Sequence, residues 1–113
     1  KCANYIVVEW NGDIYPCDFF VYEKYKLGNI LHNNFTELIE KRNAIFAFQK
    51  EQLPQDCSEC EWKKLCFGGC LKDRFFPDNP HPEKTYFCEG YTNFFSYTNK
   101  YFQLQANNLK KRI

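Results

Sequence analysis

Four cysteines lie within residues 57–70, and they are the side chains of this chain best suited to chemistry. Cys57 and Cys60 form a C-x2-C pair, which lets two sulfurs reach one tetrahedral centre from a single turn of backbone. Cys66 and Cys70 follow closely and can supply further ligands. All-thiolate ligation is typical of structural zinc sites and of iron–sulfur clusters, so this segment predicts a metal or cluster site.

The sequence has seven cysteines, and the other three are Cys2, Cys17 and Cys88. An odd number does not close a disulfide framework, and clustered thiols in a reducing compartment usually hold metal. Because two four-thiolate sites need eight ligands, we expect an eighth cysteine upstream of Cys2, in a longer protein of which this chain is one part. A small secreted domain with two disulfides is the alternative interpretation.

Two adjacent glycines, Gly68 and Gly69, precede Cys70. They suit a backbone folded closely around an inorganic core, because glycine adopts positive φ angles at little steric cost. Neither of the two histidines lies at ligand spacing, although structural zinc sites often recruit one. The pattern therefore favours iron–sulfur clusters, and zinc in a structural or interaction module stays open as the alternative.

One carboxylate directly follows a candidate ligand. Asp18 comes after Cys17 and before three apolar residues. We expect a partly apolar setting, which disfavours the charged form of a carboxyl group and prepares it to act as a base. A simple turn cap is the alternative for this aspartate.

The elements that must position these side chains begin with a β-hairpin. Residues 5–10 are rich in β-branched and aromatic side chains, and a second strand begins at Ile14. Asn11-Gly12 between them predicts a type I′ turn, in which both central residues have positive φ. The hairpin would bring Cys2 and Cys17 to the same end of the ribbon.

Two amphipathic helices complete the predicted fold. Asn34 is a good N-cap with Glu37 in the capping-box position, and the helix should run to about Lys50 with its apolar stripe in the core. A second helix is predicted from Tyr91 to the end. The fold class is therefore α+β: a small metal- or cluster-stapled domain with an N-terminal hairpin, one middle helix, a cysteine-rich loop region and a C-terminal helix. The members of the middle stripe are Phe35, Leu38, Ile39, Ile45 and Phe46.

Composition excludes several classes of function. At 113 residues we expect one domain, and 15 Lys+Arg against 14 Asp+Glu give a formal net charge of +1, which argues for neither a nucleic acid nor a membrane partner. Phosphate loops, dinucleotide fingerprints and a Ser-His-Asp arrangement are missing from the sequence. Catalysis by this segment alone is not expected.

Several motifs resemble the SPASM domain of anaerobic sulfatase-maturating enzymes, which are radical SAM proteins. The resemblance covers nearly the whole chain. The cysteine spacing is shared by many SPASM proteins, whereas PCDFF at residues 16–20 and CLKDR at residues 70–74 are narrower signals for the sulfatase-maturating branch. LGNI at residues 27–30 and YFC at residues 86–88 belong to the same pattern.

The resemblance implies two auxiliary 4Fe-4S clusters with crossed ligation. An inner cluster would be held by three cysteines of this chain and an upstream one, and an outer cluster by four. The inner ligands would be Cys2, Cys17 and Cys70. The outer ligands would be Cys57, Cys60, Cys66 and Cys88.

The resemblance also implies an activity for the parent protein. A radical made from S-adenosylmethionine, in a (β/α) barrel that residues 1–113 do not include, would oxidise a Cys or Ser of a sulfatase to Cα-formylglycine in the cytoplasm. Asp18 would deprotonate the substrate side chain, and the clusters would accept or relay an electron. The barrel and the sulfatase polypeptide are thus the implied partners. A SPASM domain of another peptide-modifying radical SAM enzyme is the neighbouring alternative.

Overall fold

The computed structural model describes residues 2–81 and 83–112, and its first element is the predicted hairpin. Strands β1 (Val7–Val8) and β2 (Asp13–Tyr15) are antiparallel, with Val7 opposite Tyr15 and Val8 opposite Ile14. The prediction of a hairpin is confirmed, although the first strand is much shorter than residues 5–10. The α+β class is confirmed as well.

The hairpin turn differs from the predicted type I′ turn. Gly12 has a φ of 85°, but Asn11 does not have a positive φ. The N–H of Gly12 donates to the carbonyl of Glu9, and the N–H of Glu9 donates to the carbonyl of Asp13, both at 2.9 Å. This is a three-residue loop with glycine in the left-handed position, a common hairpin connection in which only one residue needs positive φ.

A third strand, β3 (Gly28–Asn29), pairs antiparallel with β2. Its Asn29 side chain donates to the Asp13 carboxylate at 3.0 Å, and Lys26 lies 2.7 Å from the other oxygen of that carboxylate. These hydrogen bonds, with that of Lys26 as the main cause, hold the pKa of Asp13 below its usual value. An ionised Asp13 therefore connects β2 with β3 and with the residues that precede β3.

The middle helix extends over residues 35–51 but is interrupted by a π-helical segment. It consists of α1 (Phe35–Arg42), the π segment Asn43–Ala47 and α2 (Phe48–Glu51), and the side chain of Asn34 accepts the N–H of Thr36 at 2.8 Å. The predicted helix and its cap are confirmed.

The predicted apolar stripe of that helix is only partly buried. Leu38 and Phe46 are buried, whereas Phe35 and Ile45 are 53% and 41% exposed. The π segment departs from 3.6 residues per turn, so it changes the angular register of Ile45, which lies within it. Phe35 precedes this segment as the first residue of α1, and the π turn does not explain its exposure. The charged residue Arg42 of the same helix is buried, and its guanidinium donates to the carbonyl of Tyr5.

Buried side chains form two small clusters. One packs on the sheet and contains Ile14, Leu27 and Leu38. The other contains Phe20, Phe46 and Leu71, and the side chains of Cys2 and Cys17 pack against it. Two candidate ligands therefore adjoin the core.

The remaining elements are helices. Within the described residues, two are short 3-10 helices, Asp18–Phe20 and Glu23–Tyr25, and three are α-helices of one turn each: α3 (Gln55–Ser58), α4 (Lys63–Cys66) and α5 (Leu71–Arg74). The last, α6 (Cys88–Lys110), begins three residues before the predicted start at Tyr91, so Cys88 is its first residue. Among the described residues, no helix combines the length and the apolar character needed to cross a membrane.

The left-handed glycine of the hairpin predicts a stability difference. Gly12→Ala should lower the free energy of unfolding by about 1–2 kcal/mol, because an L side chain is strained there and a Cβ would lie 3.0 Å from Asn29 Oδ1. Gly90→Ala is the matched control: it lies in α6 with open space at its Cβ and should raise stability by about 0.5–1 kcal/mol. Urea denaturation followed by circular dichroism measures both, and equal effects would contradict the assigned turn.

Candidate metal centres

One cavity brings together four cysteines that are up to 31 residues apart in sequence. We call them the outer set: Cys57, Cys60, Cys66 and Cys88. Cys57 lies in α3, Cys66 ends α4 and Cys88 begins α6. The short helices and the start of the long helix thus present thiols to a common space, and these are the four residues that the resemblance groups in one cluster.

A run of left-handed backbone separates this set from Cys70. Phe67, Gly68 and Gly69 have φ angles of 48°, 70° and 65°. A Cβ on Gly69 would lie 2.5 Å from the side chain of Thr85, so the position also needs glycine for space. The expectation of positive φ at the two glycines is confirmed. The reversal directs the chain away from Cys66, and Cys70 does not line the outer cavity.

The other three cysteines form what we call the inner set: Cys2, Cys17 and Cys70. Cys2 and Cys17 pack against the core cluster of Leu71, the residue that follows Cys70. Burial raises the pKa of the Cys2 thiol, Lys50 opposes this shift, and the thiols of Cys70 and Cys17 are close enough to add to it. Within the described residues, no three His, Cys, Asp or Glu side chains are close enough to hold a single metal ion.

The electrostatics of the outer set follow from burial. Desolvation raises the pKa of both Cys57 and Cys88, and Lys84 partly offsets this for each of them. Lys84 in turn forms an ion pair with Asp56, beside Cys57. Thiols with raised pKa values are protonated at neutral pH, so binding of a metal or cluster must release their protons.

The outer cavity also contains a buried donor. Trp62 lines the cavity, and its indole Nε1 is buried with no hydrogen-bond partner among the described residues. Leaving such a group unpaired costs about 1–3 kcal/mol. A cavity with four soft thiol ligands and one spare N–H fits an iron–sulfur cluster, whose sulfurs can accept a hydrogen bond.

Two cations lie between the sets. Arg74 is 3% exposed, and its guanidinium donates to five backbone carbonyls at 2.8–3.1 Å. Lys50 donates to the carbonyl of Gly69, and the thiols of Cys2, Cys70 and Cys66 are close enough to oppose the lowering of its pKa by burial. The acceptors of Arg74 are the carbonyls of Gln49, Lys50, Gln52, Phe67 and Gly68.

Sequence reasoning missed the structural roles of Lys50 and Arg74. The guanidinium of Arg74 connects the C-terminal end of α2 with the loop of Phe67 and Gly68 through its hydrogen bonds. No local pattern identifies an arginine whose acceptors lie 6 to 25 residues away.

Asp18 lies beside the inner set but not in an apolar setting. It is exposed, its Oδ1 accepts the hydroxyl of Tyr5 at 3.0 Å, and the thiol of Cys17 donates to the same oxygen at 3.3 Å. The bonds from Cys17 and Tyr5 lower the pKa of this carboxyl group. The expected preference for the neutral form is therefore wrong, and Asp18 is ionised at neutral pH.

Tyr5 was missed by sequence reasoning. Its hydroxyl also lies 3.5 Å from Cys17 Sγ, so a single side chain connects the carboxylate with the candidate ligand. Its bond with Cys17, its burial and its bond with Asp18 raise the pKa of Tyr5. Because a metal-bound cysteine has lost its proton, Tyr5 is the donor to Asp18 that would persist in a loaded site.

Comparison with known proteins gives consistent matches. The SPASM family, described as an iron-sulfur cluster-binding domain, matches residues 2–61. A cysteine-type anaerobic sulfatase-maturating enzyme of Clostridium perfringens is 38% identical over 110 residues, covering 96% of this chain and 30% of the relative. A serine-type enzyme of Bacteroides thetaiotaomicron is 34% identical over 96% of this chain and 27% of its own length.

A more distant relative and a solved structure extend the comparison. Mycofactocin maturase of Mycolicibacterium smegmatis is 32% identical over 64% of this chain and 20% of its own length. The structure of native anSMEcpe with bound AdoMet and Cp18Cys peptide matches with a TM-score of 0.80 and 37% identity, over 92% of this chain and 29% of that one. The chain spans 30% and 27% of the length of the two sulfatase-maturating relatives named above.

The buried guanidinium predicts a large stability effect. Arg74→Gln should lower the free energy of unfolding by at least about 3 kcal/mol, because several carbonyls at a helix end and in a tight loop lose a charged donor. Arg112→Gln makes the same change at an exposed site and should have an effect within about 0.5 kcal/mol. Denaturation of chains with equal metal content tests this, and equal stabilities would show that the Arg74 bonds contribute nothing.

Proposed function

The chain belongs to the SPASM family of iron-sulfur cluster-binding domains, and we propose that it binds two 4Fe-4S clusters in a radical SAM enzyme that converts a sulfatase Cys or Ser to formylglycine. The observation that carries the cluster proposal is the convergence of the four outer-set thiols on one cavity with a buried indole N–H. In this proposal the outer set binds one cluster completely. The inner set binds the other together with a cysteine upstream of Cys2.

The sulfatase-maturating function is supported by the sequence matches over most of the chain. Enzymes of both the cysteine type and the serine type match over 96% of it. The matching structure of anSMEcpe contains AdoMet and a peptide in a much longer chain. We therefore assign this chain the auxiliary cluster role, and S-adenosylmethionine and the radical step belong to the barrel domain of the parent protein. The sulfatase polypeptide is the substrate of the whole protein.

Asp18 is the proposed base. Its carboxylate is exposed, so a substrate side chain can reach it, and the hydrogen bond from Tyr5, which does not depend on the Cys17 proton, favours the ionised form that can accept a proton. Oxidation to the thioaldehyde or aldehyde level removes one hydrogen atom from Cβ, one proton from the side chain and one electron. In the proposed reaction Asp18 would accept the proton, the radical chemistry of the barrel domain would account for the hydrogen atom, and the cluster held in part by the adjacent Cys17 would supply the electron acceptor.

A different peptide-modifying radical SAM enzyme is the second candidate for the parent. The match to mycofactocin maturase, at 32% identity over 64% of the chain, favours it over unrelated functions. This second candidate would use the domain in the same cluster-binding role but would act on a different substrate. The assay of formylglycine formation described below therefore separates the two candidates. Structural zinc is the competing occupant of the cysteine sites.

The grouping of the cysteines into two sets predicts which pairs of Cys→Ser substitutions lose iron and sulfide additively. In the full-length protein, Cys66→Ser and Cys88→Ser should each remove about four irons and four sulfides, and the double variant should remove no more than either alone, because both thiols bind one cluster. Cys66→Ser with Cys70→Ser should instead remove about eight irons, since these neighbours serve different clusters.

Iron, sulfide and zinc analysis of anaerobically purified protein measures this pattern. Additive losses for the pair Cys66 and Cys88 would overturn the proposed grouping. Stoichiometric zinc that persists after reconstitution with iron and sulfide would replace the cluster function by a structural one.

The proposed base gives a second prediction. Asp18→Asn in the full-length protein should retain cluster content and cleavage of S-adenosylmethionine while formylglycine formation falls at least about 100-fold, the usual contribution of general-base catalysis. Asp78→Asn, at an exposed loop position, is the matched control and should retain full turnover. Mass spectrometry of a sulfatase peptide measures the product, and unchanged turnover by Asp18→Asn would remove this residue from the reaction.

A further inference from the structure

Trp62 is fixed in place by the two elements that carry outer-set ligands. Its backbone carbonyl accepts the N–H groups of Leu65 and Cys66 at 3.0 and 2.9 Å, which connects it directly to a candidate ligand. Its ring lies 5.9 Å from that of Phe95 at an interplanar angle of 36°. Phe95 belongs to α6, the helix that begins with Cys88. The indole is thus held against the cavity from both sides.

The other polar groups of the cavity do not accept the indole N–H. The hydroxyl of Thr92 donates to the carbonyl of Cys88 at 3.0 Å, and the hydroxyl of Thr85 accepts the N–H of Phe87 at 3.4 Å. Within the described residues, Trp62 Nε1 has no hydrogen-bond partner, although the atom is buried. A sulfur of a group bound by the four thiols can supply the missing acceptor.

We propose that the indole N–H of Trp62 donates a hydrogen bond to a sulfur of the cluster held by the outer set, and that this bond raises the reduction potential of that cluster. The inference rests on the proposed function, because it requires a cluster in this cavity. A hydrogen bond to a cluster sulfur stabilises the reduced state, which carries one more negative charge, more than the oxidised state. Trp62 therefore tunes the cluster without being one of its ligands.

The chain offers a matched pair of variants for the test, because it has only two tryptophans. Trp62→Phe removes the N–H and retains an aromatic ring to pack on Phe95. Trp10→Phe makes the same change on a side chain that is 94% exposed. The anaerobically reconstituted chain is titrated with dithionite, which donates one electron to each cluster, and the reduced cluster is followed by electron paramagnetic resonance.

We expect Trp62→Phe to shift the midpoint potential of the outer cluster to a more negative value with unchanged iron and sulfide content. Trp10→Phe should leave the potential at the wild-type value. A loaded Trp62→Phe cluster with the wild-type potential would overturn the inference and leave the proposed function intact. A wild-type chain that takes up zinc but no iron and sulfide would overturn both.

A second measurement covers the case in which Trp62→Phe does not fold or load. The Trp10→Phe chain, grown with ¹⁵N-indole tryptophan, carries the label at Trp62 alone. Pulsed electron paramagnetic resonance of its reduced outer cluster should show a coupling to ¹⁵N and to a proton that is lost in D₂O. A reduced cluster with neither coupling would show that Trp62 does not donate to it.

Discussion

The fold depends most on one buried cation. The guanidinium of Arg74 satisfies carbonyls at the end of α2, at Gln52 and in the loop of Phe67 and Gly68, so it holds the middle helix and the cysteine-rich segment in one arrangement. A buried charge is tolerated only when its donors are paired, and five carbonyl partners meet that need. The positions of Cys66 and Cys70, on either side of the loop, follow from this anchor.

The hydrophobic core is too small to explain the order of the chain by itself. Each of its two clusters contains three buried residues, while many aromatic side chains along α6 and the loops are exposed. Domains with little buried apolar area usually obtain stability from cross-links or metals. The outer set joins α3, α4 and α6, and among residues 2–81 and 83–112 these helices share no buried apolar cluster. Cluster binding in the proposed function would therefore couple these elements and their folding.

Local sequence signals predicted the elements with characteristic patterns. The hairpin follows from β-branched residues around Asn11-Gly12, and the middle helix from Asn34 and its apolar period. The same signals missed the π segment, because a period of 3.6 is assumed in reading a stripe, and so Ile45 was placed in the core. The grouping of cysteines came from a family resemblance, since C-x2-C and C-x3-C spacing cannot say that Cys66 and Cys70 diverge. Only the left-handed run from Phe67 to Gly69 makes that divergence visible.

The divergence of Cys66 and Cys70 also determines how the two proposed clusters would lie along the chain. Cys66 and Cys70 are separated by one tight loop, so two clusters held by them would be linked through a short stretch of backbone, in which the Gly69 carbonyl accepts a hydrogen bond from Lys50. At the other side of the inner set, Cys17 and Asp18 are consecutive residues joined by Tyr5. In the proposed function, the proton acceptor Asp18 would therefore lie next to Cys17, a ligand of the cluster that would accept the electron. Such an arrangement suits an oxidation that releases one proton and one electron from the same substrate.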